Sequence, residues 1–408
     1  MQEEKEAPER KKWPLAVVFV IVLGLVSLLA DMANEGSRVM TGPFLAALGA
    51  SAAIVAIISG LSELAGYSLR VVFGWVTDRT GRYWTLTFIG YGINLVAVPA
   101  LALAGDWPFA VSLMLVERVG RAIRGPARDA MLSHASVDTG RGWAYGVQEA
   151  LSSVGGMLGP MIVVLIMLIG GNYRMGFLVL AIPALMAMVL LVYAWKINPR
   201  PRDMEGSCTK IDTRKRLPSA YWYFVAGAAL VAAGYIDFPI ISYYLSDTQM
   251  VADDLMPILY ALAMGADALS ALVFGRLYDH KGMGILIVGL LIAPLFVPLI
   301  FSGNIALMLV GMVLYGIGFG AQESIMRAIV ADMAPYCRRA SAFGYYNAVF
   351  GIAWFSGSVL IGLLFDLSMP SMIVLAVGLQ LSSIPLFMYV RSDSRNWKGR
   401  RKAKANHK

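Results

Sequence analysis

The sequence ERVGRAIRGPARDA, residues 117–130, carries four arginines and two acids directly after an apolar run. On an α-helix, Glu117, Arg121, Arg124 and Arg128 share one face, within an arc of about 60°. The remainder of the chain is strongly apolar: 58% of its residues are hydrophobic, 15% are charged and its mean hydropathy is +0.66. A charge facing lipid costs at least about 2.5 kcal/mol. We therefore expect this face to meet protein or water inside a bundle of helices.

Apolar stretches long enough to cross a bilayer recur along the whole sequence. A helix of about 20 residues crosses the hydrocarbon core, and such stretches account for most of the chain. The predicted spans are 14–46, 50–76, 83–104, 109–129, 143–169, 174–196, 219–245, 255–277, 283–302, 305–333, 340–364 and 370–391. The sequence thus predicts an all-α membrane protein with twelve transmembrane helices. No stretch remains for a soluble domain of usual size, and no phosphate-loop motif occurs, so we expect no enzymatic activity.

The lysines and arginines of the loops predict the orientation in the membrane. Short loops rich in these residues stay in the cytoplasm, and the predicted outer turns hold only Arg174. Both termini are therefore predicted to be cytoplasmic, in a multi-pass protein of the cell (inner) membrane. This pattern accounts for the net charge of +8, so nucleic acid is not an expected partner. Three scattered histidines give no metal-ligand spacing, and we expect no metal or cofactor.

The two parts of the chain repeat one pattern. GWVTDRTGR at 74–82 aligns without gaps with GRLYDHKGM at 275–283, which pairs Asp78 with Asp279. A polar, proline-containing stretch between the repeats has the composition of a linker. The predicted organisation is an N-terminal six-helix bundle 1–196, a cytoplasmic linker 197–218, a C-terminal six-helix bundle 219–391 and a basic cytoplasmic tail 392–408.

These motifs resemble those of the major facilitator superfamily of secondary transporters. The segment 74–82 is similar to the loop signature G-x-x-x-D-R-x-G-R-[RK], with Tyr83 in the place of the last basic residue. RAIRGPA from Arg121 resembles the helix-four signature R-x-x-x-G. GGMLGP at 155–160 resembles the helix-five signature of antiporters, although its closing Gly-Gly is absent here. Blocks such as DMANEG and AQESIMRA resemble a branch of mostly uncharacterised bacterial and archaeal members.

The resemblance implies two pseudo-symmetric six-helix bundles that enclose a substrate site reached alternately from each side of the membrane. A monomer is the default expectation. Two sets of residues receive roles from the resemblance. The predicted cytoplasmic gate comprises Gly74, Asp78, Arg79, Gly81, Arg82, Arg128, Asp129 and Asp279, with Arg128 and Asp129 expected in a salt-bridge cluster beside Asp78 and Arg79. The helix-five signature, Gly155, Gly159 and Pro160, is either a gating element or a place of close helix contact.

Ionisable residues within the spans are the candidates for binding substrate and protons, because such residues mark transport pathways. The candidates are Asp31, Glu35, Arg38, Glu63, Arg70, Glu117, Arg118, Arg121, Arg124, Asp237, Asp267, Glu323 and Arg327. A carboxyl removed from water can bind and release a proton near neutral pH. Each carboxyl is therefore either a proton carrier or only a counter-ion to an arginine. For Glu117, Arg118 and Arg121, a cavity role and a structural ion pair both stay open.

Three functions follow from these predictions. The first is proton-coupled transport of a small organic solute, more often export of a drug or metabolite than import. The second is proton-coupled import of an organic or inorganic anion, with Arg70, Arg118, Arg121 and Arg124 as the charged site. The third is a transporter-like receptor or assembly partner that moves nothing.

Overall fold

The computed structural model describes residues 12–137, 139–200, 217–251 and 255–392, and the regular structure within these ranges is helical. Most of the predicted linker 197–218 and nearly all of the predicted tail 392–408 lie outside the described residues. The helices form twelve consecutive units, α1 to α12. The predicted all-α architecture with twelve helices is confirmed.

Six units form the N-terminal half. They are α1 Lys12–Ala47, α2 Ala52–Thr80, α3 Tyr83–Ala100, α4 Trp107–Ala135, α5 Arg141–Leu168 and α6, which comprises Tyr173–Val179 and Ala181–Ile197. Local chemistry fixes several ends. The carboxylate of Asp106 accepts a hydrogen bond from Phe109 N (2.8 Å) at the start of α4, a usual N-cap arrangement. Gly81 ends α2 in the left-handed conformation with φ of 67°, which glycine adopts without steric cost.

Six further units form the C-terminal half, and three of them are interrupted. They are α7 (Ser219–Gly234 and Phe238–Asp247), α8 Met256–Lys281, α9 (Gly284–Ile292 and Phe296–Ile300), α10 Ile305–Met333, α11 Arg339–Leu367 and α12 (Met369–Ser382 and 384–392). The break in α7 places Asp237 at the start of its second segment.

Nine helices of the described part are long and apolar enough to cross a membrane. The charged helices α2 and α4 and the interrupted α9 complete the twelve. The main difference from the predicted spans is in α4, which continues to Ala135 and not only to residue 129. Hydropathy marks only the part of a helix that lies in lipid, and a helix continues wherever its backbone and its protein contacts allow.

The two halves meet closely at one end of the molecule. We call this end the inner side; it is where α1 begins and α12 ends, and it is the side predicted to be cytoplasmic. Here α2 packs closely on α11: the two backbones are so near that a Cβ at Gly74 would collide with the carbonyl oxygen of Ala340. In the same way α5 packs on α8, where Gly142 and Gly275 each lie against the other's carbonyl oxygen. Small residues allow backbones to approach this closely, so the inner side is closed.

The helix-five signature lies within the N-terminal half, not between the halves. Gly155 and Gly159 of α5 lie against the carbonyl oxygens of Leu28 and Met32 on α1, and Pro160 continues the helix one residue later. Of the two roles open for this motif, the geometry favours close packing of α1 against α5.

Candidate functional site

A cavity of about 170 Å³ lies between the two halves, roughly midway along the helices. Its walls come from α1, α2, α4 and α5 on one side and from α10 and α11 on the other. The lining residues are Asp31, Tyr67, Arg70, Arg121, Arg124, Gly125, Arg128, Asp129, Ser152, Glu323, Arg327, Tyr346, Asn347 and Phe350. Most of the predicted charged face of α4 thus lines this cavity, as expected for side chains that cannot face lipid.

The lining carries more positive than negative charge. It contains five arginines and three carboxylates, which is a formal excess of two positive charges. Two of the arginines are neutralised within the lining, because Arg128 pairs with Asp129 at 2.9 Å and Arg327 pairs with Glu323. The excess therefore belongs to the remaining arginines. A concave site of one sign of charge attracts ligands of the opposite sign.

Arg70 and Arg124 are the arginines with the fewest partners in the cavity. Arg70 donates to Asn347 Oδ1 (3.0 Å) across the boundary between the halves and stacks on the Tyr67 ring at 4.5 Å. Arg124, only 4% exposed, lies 3.8 Å from Asp31 and 4.2 Å from the Tyr91 ring centroid. The Nε of Arg70 and both Nε and Nη1 of Arg124 have no hydrogen-bond partner among the described residues. Buried donors without partners are costly, so a bound acceptor would stabilise both side chains.

On the outer side of the cavity, three acids and three arginines balance each other. We call this set the outer network: Glu35, Arg38, Glu63, Glu117, Arg118 and Arg121. Glu63 of α2 joins Arg118 of α4 at 2.7 Å and Arg38 of α1 at 3.4 Å. Arg38 has the most exposed side chain of the set, at 57%. The network ties three helices of one half together by ion pairs.

Glu117 lies at the most buried end of the outer network. It pairs with Arg121 one turn further along α4 and accepts a hydrogen bond from Asn94 Nδ2 at 2.7 Å. Asn94 also donates to Asn34 Oδ1 at 3.1 Å, which connects α3 with α1. Arg121 reaches Glu35 at 3.6 Å. For Glu117 and Arg121 the structural role and the cavity role therefore coexist, because Arg121 belongs to both sets.

A second charged group spans both halves, and it includes one residue that the sequence analysis missed. Arg327 of α10 pairs with Glu323 one turn earlier on its own helix and with Glu149 of α5 at 2.9 Å. Glu149 is buried and is the single acidic residue of the apolar helix α5. An isolated acid in a membrane span is itself a signal of function. This signal could have identified Glu149 as a candidate from the sequence. This ion pair joins the two halves beside the cavity.

Two predicted carboxyls lie outside both the cavity lining and the outer network. Asp237, at the break of α7, accepts hydrogen bonds from Trp354 Nε1 and Ser358 Oγ, both at 2.7 Å. Asp267 of α8, 1% exposed, contacts Ser153 Oγ of α5 at 2.5 Å. The sequence did not predict the hydroxyl and indole donors that bond to these carboxyls, since nothing distinguishes a serine that donates to a carboxyl from any other serine in a membrane helix. Asp31, for example, is bonded to Ser152.

The two repeated aspartates close the inner side. Asp78 of α2 accepts hydrogen bonds from the backbone nitrogens of Ala340 (3.1 Å) and Ser341 (2.6 Å) at the start of α11. Asp279 of α8 accepts from Gly142 and Trp143, both at 2.7 Å, at the start of α5. A carboxylate at a helix N-terminus satisfies free N–H groups and interacts favourably with the helix dipole. Each half thus caps a helix of the other.

The predicted cluster of Arg128 and Asp129 with Asp78 and Arg79 is wrong. Arg128 bonds to Asp129 and, at 3.3 Å, to Ser27 Oγ, and both charged residues line the cavity. The reason is the length of α4: it ends at residue 135, so Arg128 lies about 10 Å inside the helix end.

The other basic residues of the loop motif lie on the protein surface at the inner side. Arg79 and Arg82 are exposed, and Arg79 stacks on the Trp75 ring at 4.8 Å.

The sequence model of the Major Facilitator Superfamily matches residues 23–282 and 223–407 of this chain. An uncharacterized protein of Mycobacterium tuberculosis is 38% identical over 379 residues, which cover 91% of this chain and 93% of that protein. An uncharacterized MFS-type transporter of Methanocaldococcus jannaschii is 25% identical over 359 residues, or 86% of this chain and 89% of that protein.

Among solved structures, a bacterial homologue of the iron transporter ferroportin in an outward-facing state superposes with a TM-score of 0.71. The superposition covers 92% of this chain and 99% of that chain, at 12% sequence identity. At this level of identity, the likeness concerns the fold alone.

Proposed function

Because the chain belongs to the Major Facilitator Superfamily, we propose that it is a secondary active transporter that moves a small organic solute by alternating access. The observation that carries the proposal is the charged cavity between the halves, whose lining comes from both of them. A site shared by two bundles that rock against each other faces each side of the membrane in turn. The proposed setting is a monomer in the inner membrane with both termini in the cytoplasm.

The proposed cycle starts from the conformation described here. The inner side is closed by α2 on α11 and by α5 on α8, so solute exchanges on the outer side, past the outer network. Opening of the inner side must separate Asp78 from α11 and Asp279 from α5. Solute and proton binding supply the differential free energy for this step, since a ligand shifts an equilibrium only by its preference for one state.

Proton coupling is proposed because carboxyls lie buried between the halves. Glu149, Glu323 and Asp267 are at or beside the contact of the two halves, where a change of conformation alters their partners and their access to water. Groups of this kind exchange protons during a cycle. Export is the proposed direction, on the resemblance of the helix-five motif to the antiporter signature. In that case an inward flow of protons drives the solute outward.

The test begins with a panel of ligands added to the purified protein, with thermal stabilisation as the readout, because any ligand of the folded state raises its apparent stability. A stabilising solute is then followed across proteoliposomes with and without an imposed proton gradient. The proposal expects flux that follows the gradient, with solute moving against the proton flow. Flux that does not change with the gradient would contradict proton coupling. A stabilising solute that never crosses the membrane would contradict transport itself.

The second candidate function is proton-coupled import of an anion, and one observation favours an anionic ligand. The unpartnered nitrogens of Arg70 and Arg124 lie in a lining with a formal positive excess. The planar donor array of arginine suits carboxylate and phosphate groups. Of the four arginines predicted for this role, Arg118 and Arg121 are already paired with acids in the outer network. The anion site proposed from the structure is therefore Arg70 and Arg124.

A further inference from the structure

We infer that Asp267 of α8 carries a proton in the conformation described here, and that this proton joins the two halves through a hydrogen bond to Ser153 of α5. The place of this proton in a transport cycle rests on the proposed function. The protonation itself rests on the geometry around Asp267.

The first argument is a count of hydrogens on the Ser153 hydroxyl. Its Oγ lies 2.9 Å from the backbone carbonyl oxygen of Glu149 and 2.5 Å from Oδ2 of Asp267. A hydroxyl carries one hydrogen, whereas a carbonyl oxygen can only accept. When Ser153 donates to the carbonyl of Glu149, the contact with Asp267 needs a hydrogen from the carboxyl group. Both contacts are then normal hydrogen bonds, and Asp267 is a neutral carboxylic acid that donates.

The second argument is the lack of a counter-charge. Asp267 is 1% exposed, and its Oδ1 has no hydrogen-bond partner among the described residues. Arg327 is the cation beside it, but Arg327 already pairs with Glu149 and Glu323. An ionised Asp267 would be a third acid around one arginine. Burial of a charge without its own partner is far more costly than burial of a neutral carboxyl.

The groups that face Asp267 come from every described helix packed around it. They are Glu149 and Ser153 of α5, Glu323, Arg327 and Tyr315 of α10, Tyr235 of α7 and, on the same helix as Asp267, Tyr260. The neighbouring helix α9, residues 284–300, contains no ionisable side chain. A Cβ at Gly320 of α10 would meet Oδ1 of Asp267, so the backbone of α10 covers this oxygen closely. Arg327 is the one cation in the set.

The contact between Asp267 and Ser153 depends on the closed inner side. It lies on the same pair of helices as Gly142 with Gly275 and Gly146 with the Ala271 carbonyl. Ser153 is seven residues beyond Gly146, or about 10 Å towards the outer side.

When α5 leaves α8 at the inner side, Asp267 loses Ser153 and meets inner water, where an unperturbed aspartic acid is ionised at neutral pH. The carboxyl then releases its proton to that water and becomes a carboxylate. One proton is held while the inner side is closed and released inward when it opens.

Infrared difference spectroscopy of the purified protein between neutral and alkaline pH tests the protonation without any substrate. The wild type should show the carbonyl stretch of a buried neutral carboxylic acid, and Asp267→Asn should lack this band. Ser153→Ala should keep the band and move it to higher frequency, because the hydrogen bond is lost. Ser270→Ala is the matched control: its hydroxyl lies one turn away on α8, bonds to Ile317 O, and should leave the band unchanged.

Two infrared results would overturn the inference. One is a band that persists in Asp267→Asn and disappears in Glu149→Gln, which would place the proton on Glu149. The other is a wild-type band that Ser153→Ala does not move. The second result compares only the wild type and Ser153→Ala, so it can be obtained even when Asp267→Asn does not fold.

The transport assay separates this inference from the proposed function. With a stabilising solute, Asp267→Asn should exchange solute across proteoliposomes at least one-tenth as fast as the wild type, yet lose accumulation driven by a proton gradient. Gradient-driven accumulation that survives in Asp267→Asn contradicts the inference. A wild type that moves no solute contradicts the proposed function, while the infrared result still decides the protonation of Asp267.

Discussion

Asp78 and Asp279 occupy equivalent positions in the two halves, and each caps the first turn of a helix in the opposite half. Asp78 accepts from Ala340 and Ser341 on α11, and Asp279 accepts from Gly142 and Trp143 on α5. The inner side is therefore closed by two similar contacts related by the internal repeat. Both contacts must break when the inner side opens, so they help to set the balance between the two conformations.

Asp78→Asn is expected to favour opening of the inner side. The two backbone N–H groups bond to different oxygens of Asp78, and the amide keeps only one acceptor oxygen. It also loses the charge that interacts with the dipole of α11, and together these changes cost about 1 to 2 kcal/mol. The ratio of open to closed molecules should rise roughly tenfold. Spin labels at the exposed positions Val137 and Lys281, one in each half, should report a longer distance. Thr80→Ala, at the exposed end of the same helix, is the control; equal distance distributions in Asp78→Asn and wild type would refute the prediction.

Gly275→Val should prevent closure of the inner side. A Cβ at Gly275 meets the backbone carbonyl of Gly142, whereas a Cβ at Gly265 of the same helix meets nothing within 4 Å. Backbone cannot yield as a flexible side chain does, so α5 and α8 must separate. We expect solute flux to fall at least about tenfold in Gly275→Val and to stay unchanged in Gly265→Ala. Normal flux in Gly275→Val would show that the contact is not required.

Anionic ligands should depend on Arg124 and Arg70 but not on Arg276, which lies outside the cavity lining. Among ligands that stabilise the protein, we expect anions to lose affinity roughly tenfold or more in Arg124→Gln and Arg70→Gln, because a charged hydrogen bond contributes about 1.5 to 3 kcal/mol. Isothermal titration measures the change. Arg276→Gln, an exposed arginine of α8, should bind as the wild type does. Anionic ligands that bind equally well to all three variants and to the wild type would exclude the anion site.

The outer network should stabilise the folded protein through Arg118. Arg118→Ala leaves Glu63, whose side chain is 29% exposed, with the longer contact to Arg38. The pair is half-buried, so removal of one partner should cost more than the about 1 kcal/mol of an exposed pair and less than the roughly 3 kcal/mol of a buried one. The midpoint of thermal unfolding in detergent should therefore fall by several degrees. The double variant Glu63→Gln, Arg118→Met should recover most of this loss; no recovery would mean that the pair is not coupled.

Much of the fold followed from the sequence because hydrophobicity over about 20 residues is a strong signal. The charged face of α4 was also predictable, since Glu117, Arg121, Arg124 and Arg128 share one side of an ideal helix. The end of α4 was not predictable, because the helix continues past the lipid. As a result, Arg128 was assigned to the cytoplasmic gate, although it lines the cavity. The internal repeat paired Asp78 with Asp279, and the structure gives both the same local contacts.

Contacts between distant helices could not be predicted from one sequence. Glu63 and Arg70 lie two turns apart on α2, yet Glu63 pairs with Arg118, and Arg70 donates a hydrogen bond to Asn347 of the other half. Spacing along one helix reveals only neighbours on that helix. Glu149 was overlooked for the same reason, as its partner Arg327 is 178 residues away.

The most direct test of alternating access is the reactivity of a single cysteine in the cavity. Gly125 lines the cavity and has room for a side chain, since a Cβ there meets only Arg70 at 3.8 Å. Gly125→Cys, with Cys208 and Cys337 replaced by serine, is treated in oriented proteoliposomes with a thiol reagent that cannot cross the membrane. The cysteine should react from the outer side in the parent protein and from the inner side when Gly275→Val is added. Reaction from one and the same side in both proteins would contradict alternating access.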